Sequence, residues 1–167
     1  MDYGTIIRHL CHVFNKNSVE YMIVGGTAVA LHGYYRKSIT QTGKIVDKPD
    51  LDFWYNPTYP NYFNLLNGLE ELGKDVREYR EEQTPDPRTS IFRLDFPDYT
   101  LDILPAIKAQ LSFRTAFARR QSFMSSGVAI SFISLEDLIQ DKLTDSRPKD
   151  IEDIENLKKN NPAESDT

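Results

Sequence analysis

The chain has 167 residues, 40% apolar and 27% charged, which is enough for one compact domain with a sizeable core. Its formal net charge of -5 argues against a broad nucleic-acid-binding surface but leaves room for a local basic patch. A single cysteine, Cys11, excludes an internal disulfide, and His9, His12 and His32 are too scattered to suggest a zinc cluster.

The start, Met1-Asp2-Tyr3-Gly4, lacks the basic and apolar segments of a signal peptide, and no later run is long enough to span a bilayer. A cytoplasmic protein with no membrane association is expected. Thr5 to Lys16 reads as an amphipathic helix through Ile6, Ile7, Leu10, Val13 and Phe14, with Cys11 as a small buried residue among them. Val19 to Val24 reads as a buried strand ending in Gly25-Gly26-Thr27, after which Ala28 to Gly33 favours a short helix stopped by its glycine. Strand, paired glycine and helix is one way to bind phosphate, because glycine lets backbone approach an anion and a helix start offers unpaired N–H groups. It is equally a common way to turn from strand to helix.

Residues 34 to 48 read as a basic loop through Arg36, Lys37, Lys44 and Lys48, either solvated or in contact with phosphate. The strand that follows carries Asp50-Leu51-Asp52. Alternation puts both carboxylates on one face and Leu51 and Phe53 on the other. Two such charges repel unless a cation gathers them, and magnesium prefers this kind of oxygen ligand. The plainer alternative is a Pro49-Asp50 turn entering an edge strand.

Tyr59 to Leu72 reads as a helix ended by Gly73, and Lys74 to Arg88, with Pro85-Asp86-Pro87, as an exposed and mobile connection. Ser90 to Phe96 and Tyr99 to Leu104 read as a hairpin turned at Pro97-Asp98. Asp102 interrupts the apolar second strand. Such a carboxylate is costly to bury unless paired or bound to a cation, so it is either a third acidic ligand or the solvent face of an edge strand.

Lys108 to Arg120 reads as a helix whose Arg114, Arg119 and Arg120 form a basic face, either solvated or an RNA site, and Gly127 to Ile133 as a strand. Ser134 caps a helix from Leu135 to Leu143, on whose apolar edge Lys142 either snorkels to solvent or meets an anion. Pro148 opens a final helix in which Asp150 and Asp153 lie near Arg147 and Lys149, an arrangement that the helix dipole alone could explain. The expected architecture is α/β (α+β): a mixed β-sheet flanked by helices, with C-terminal helices, in one domain spanning 1–160 and a disordered tail at 161–167.

The order Gly25-Gly26-Thr27, Asp50-Leu51-Asp52 and Asp102 resembles the nucleotidyltransferase superfamily. The ending, with Asp141-Lys142, Arg147, Asp150 and Asp153, resembles its minimal members of the AbiEii-toxin type and related uncharacterised groups. The chain departs from many relatives in having Thr27 after the glycines and a longer path to the Asp pair. The resemblance implies transfer of a nucleoside monophosphate from a nucleoside triphosphate to an acceptor hydroxyl on RNA, protein or a small molecule. Asp50, Asp52 and Asp102 would hold two magnesium ions. Gly25, Gly26 and Thr27, with Lys142 and Arg147, would bind the nucleotide, and Asp150 would orient one of these basic residues. It also implies a toxin–antitoxin partner protein. Two other readings stay open: a degenerate nucleotide- or partner-binding module of antitoxin type, and an interaction domain whose acids are structural.

Overall fold

The structure, a computed structural model, describes residues 1–34 and 48–161. The basic loop with Arg36, Lys37 and Lys44, and the tail from 162 onward, lie outside the described residues. Helix α1, Tyr3–Lys16, is capped by Asp2, whose side chain accepts from the Thr5 N–H at 2.8 Å. Strand β1, Tyr21–Val24, leads into helix α2, Gly25–Val29, and this runs on as a π-helical turn at Ala30–Tyr34. Gly33 therefore sits inside a helical turn and does not stop α2. Strand β2, Asp50–Tyr55, precedes helix α3, Tyr59–Glu71, and a short helix α4, Arg77–Glu81. Strands β3, Phe92–Asp95, and β4, Thr100–Leu104, form the expected hairpin.

The second half departs further from expectation. The predicted helix 108–120 shortens to α5, Phe113–Ala118, because the N–H groups of Lys108 and Ala109 both donate to Asp141 Oδ1 at 2.9 Å and hold that stretch as a loop. An unexpected strand β5, Gln121–Ser125, pairs with β6, Val128–Phe132. Their two-residue turn has Ser126 at φ 50 and Gly127 at φ 79, the left-handed backbone that matches the twist of a tight hairpin. Helix α6, Leu135–Asp145, is capped by Ser134, and α7, Pro148–Asn160, closes the described chain.

The six strands run in the order β3-β4-β2-β1-β6-β5, with β2/β4 and β1/β6 parallel and the other pairs antiparallel. Central β1 is buried along its whole length. Alternation gives β2 two different faces. Leu51 and Phe53 point toward α1, where the Phe53 and Phe14 rings lie 5.6 Å apart. Asp50, Asp52 and Trp54 point to the other side, where the Trp54 ring meets Phe113 of α5 at 5.3 Å and its Nε1–H donates to the Pro105 carbonyl. The hydrophobic core therefore builds on the α1 side and leaves the acids on the less covered side. Cys11 is fully buried, and burial pushes its thiol up to about 12, as befits a packing residue.

Two surface expectations change. The 74–88 connection is tied down: Val76 is buried, Tyr79 packs on Phe92, and the Tyr55 hydroxyl donates to the carbonyls of Pro87 and Ser90 at 2.5 and 2.8 Å. The arginines just after α5 are spent on structure. Arg119 grips the fully buried Asp137 through two hydrogen bonds of 2.7 and 2.6 Å, and the Arg120 guanidinium lies 3.7 Å over the Phe117 ring.

Candidate active site

The parallel pairing of β2 with β4 sets Asp52 directly beside Asp102 and Asp50 beside Thr100. These positions share one face of the sheet, so the two acidic segments converge where a mutual register is required and not merely by proximity. Asp50 is exposed and accepts a hydrogen bond from the Thr100 hydroxyl, while Asp52 and Asp102 are half-buried. Burial, then the charges of Asp102 and Asp50, push the Asp52 carboxyl up to about 6, against a smaller opposing pull from Lys142 and Lys149. One residue that sequence reasoning missed stands across β4: Arg93 of β3 pairs with Asp102 in register, so it shares this face, and no ion pair joins the two.

The glycine turn lies against the same carboxylate. Val24 is the register partner of Asp52, and Gly25 follows with φ 62. A Cβ at Gly25 would stand 2.6 Å from Asp52 Oδ2, so this position needs glycine for both its backbone angle and its contact. Gly26 is the opposite case, since a Cβ there would meet nothing within 4 Å. We expect Gly25→Ala to cost about 2 kcal/mol or more of stability and to displace Asp52, and Gly26→Ala to fold like the parent. Thermal melts of the two variants check this. Thr27 does not line the cleft. It is buried in α2, and its Oγ1 has no hydrogen-bond partner among the described residues.

Opposite the acids stand α6 and the start of α7. Lys142 is only 7% exposed, and its Nζ lies 3.3 Å from Asp150 and 3.0 Å from Asp153, so it is a compensated buried cation and does not snorkel. Asp150, at 1% exposure, also accepts from Arg147 Nε at 2.8 Å and from the Arg147 backbone N–H at 3.2 Å. These bonds, with Arg147 leading and Lys142 adding, hold its carboxyl well below the usual carboxylate range. Arg147 further pairs with Asp145 at 2.8 Å, and Lys108 reaches the same carboxylate from the loop after β4. Asp150 thus bonds to both Lys142 and Arg147.

Between these walls lies an open cleft of about 400 Å³, lined by Gly25, Gly26 and Asp52 on one side and by Lys142, Arg147, Lys149 and Asp150 on the other. The donor chemistry fits a hard divalent cation, being carboxylate oxygens gathered on one face of the sheet. It is not a closed cage: among the described residues, no group of three or more His, Cys, Asp or Glu side chains could hold a metal ion as positioned. Further oxygen donors would have to complete the coordination. No described helix is long and apolar enough to cross a membrane.

Comparison with solved structures places this fold. The solution structure of the antibiotic-resistance factor ANT(2'')-Ia matches with a TM-score of 0.54 at 19% identity, over 95% of this chain and 85% of that one. The crystal structure of an antigenic nucleotidyltransferase-like protein from Paracoccidioides brasiliensis matches with a TM-score of 0.51 at 16% identity, over 92% and 73%. No curated protein matches the sequence. The family described as "Nucleotidyltransferase of unknown function (DUF6036)" matches residues 4–161, and the chain belongs to that family.

Proposed function

We propose that the protein transfers a nucleoside monophosphate from a nucleoside triphosphate to an acceptor hydroxyl, with magnesium at the acids of β2 and β4. The observation that carries this reading is the in-register pairing of Asp52 with Asp102, with Gly25 packed against the Asp52 carboxylate. Magnesium, when bound, would neutralise the triphosphate and the charge that develops on the departing oxygen. Asp52 and Asp102 would hold it through their carboxylate oxygens, and Asp50 would join them by turning from the Thr100 hydroxyl that it now accepts from. The N–H groups at the start of α2 have no side-chain cap and would face the phosphates past Gly26, where nothing crowds the backbone. Thr27, buried as it is, serves this cradle through its place in the helix.

In the chemical step the acceptor oxygen forms a bond to the α-phosphorus, and the bond to the bridging oxygen breaks. Pyrophosphate leaves with that electron pair, and the acceptor proton passes to the Asp102 carboxylate. Positioning and charge neutralisation supply most of the rate. The acceptor is RNA, a protein or a small molecule. A toxin–antitoxin partner of the AbiEii type rests on motif order alone.

The test is incubation with labelled nucleoside triphosphates, magnesium and a cell extract, comparing the parent with Asp52→Ala. Label should move to one acceptor class and vanish in the variant. Equal labelling by both proteins would sink the metal assignment. Nucleotide binding without any transfer would favour the degenerate, antitoxin-like binding module.

A further inference from the structure

The cations of the cleft are not equivalent. Lys142 is buried against Asp150 and Asp153, Arg147 is shared between Asp145 and Asp150, and Lys108 is paired with Asp145. Each already faces carboxylates that would have to be displaced or shared before it met a new anion. Lys149 is different. It lines the same cleft, is exposed, and has no hydrogen bond or ion pair among the described residues. It sits in the first turn of α7, where a cation opposes the helix dipole and lowers helix stability. A lysine kept there without a partner contributes nothing to the fold that the neighbouring charges explain. It lines the wall of the cleft that faces Gly25, Gly26 and Asp52, the side where the phosphates of a nucleotide would lie.

We propose that Lys149 is the residue that grips the polyphosphate tail of the nucleotide, while Lys142, Arg147 and Asp150 form the rigid wall that aims it. This rests on the nucleoside triphosphate reading above. The sequence places Lys149 beside Arg147, Asp150 and Asp153 without giving it a separate role; only the ion-pair pattern separates a committed cation from a free one.

The experiment measures binding of inorganic tripolyphosphate with magnesium by calorimetry, for the parent and for Lys149→Gln, Lys149→Arg and Lys158→Gln. Lys158 is an exposed lysine near the far end of the same helix and controls for a general change in charge. Lys149→Gln should melt at or above the parent temperature, because no described partner is lost, and should bind about tenfold more weakly. Lys149→Arg should recover most of that loss, and Lys158→Gln should bind like the parent. Unchanged binding in Lys149→Gln, or an equal loss in Lys158→Gln, overturns the assignment of Lys149 while leaving the nucleotide reading intact. Failure of the parent itself to bind tripolyphosphate overturns both.

Discussion

Asp52→Asn is expected to raise the melting temperature of the ligand-free protein while lowering nucleotidyl transfer by about a thousandfold or more. Both effects have one cause. Burial and the adjacent charges of Asp102 and Asp50 make the ionised Asp52 unfavourable in the folded state, so its carboxyl sits at about 6 against an ordinary 3.8. A folded-state value above the unfolded one means that the folded protein binds the extra proton. The penalty is fully present above pH 6, is relieved as pH falls through 6, and is gone below about 4. Because part of the side chain is open to solvent, the expected gain from the neutral amide at pH 7 is about 1–2 kcal/mol. Urea unfolding of parent and variant at a series of pH values checks the sign: the variant should lead at pH 7, and its advantage should close between pH 6 and pH 4. A divalent cation should stabilise the parent and leave the variant unchanged.

Lys142→Ala acts in the opposite direction and is expected to cost about 3 kcal/mol, because removing one partner of a buried ion pair strands the other. Asp150 keeps Arg147, but Asp153 loses the ammonium at 3.0 Å that answers its charge. Here the depressed carboxyl is Asp150, so its stabilising contribution is fully present above the usual carboxylate range and is lost as pH falls from there through the depressed folded-state value. The gap between parent and variant should be widest at neutral pH and narrow below pH 4. Nucleotide binding should fall as well, since Asp150 then holds Arg147 alone.

The parts of this arrangement that were legible in the sequence are those fixed by strict alternation. Asp50 and Asp52 had to share a face, and Asp102 had to be uncomfortable in its apolar strand. That the two strands are neighbours follows from the sheet order, which no local pattern encodes. β5 escaped notice because Gln121-Ser122-Phe123-Met124-Ser125 is a short edge strand with little apolar alternation, although Ser126-Gly127 was a usable hairpin signal. The helix over 108–120 was overextended because its first half is decided by Asp141, a residue of another element. For Lys142 the sequence leaves snorkelling and an anionic partner both open, for a similar reason. Its burial depends on two carboxylates from the next helix, and propensity cannot show where that helix folds back. The glycine turn was legible as a turn; its contact with Asp52 was not.

The pairing of β1 with β6 has a consequence for the order in which the protein is made. Ile23 must wait for Phe132, and the acids at 52 and 102 emerge from the ribosome well before the cations at 142 and 149. A nascent chain can complete the β3-β4-β2-β1 half-sheet first, and it then carries an unmatched acidic cluster beside an apolar strand with one open edge. Arrival of the last two helices brings Lys142 and Lys149, whose charges offset part of the penalty on Asp52. The cationic wall of the cleft belongs to the last two helices, so a chain stalled before α6 holds the acids without the cations that face them.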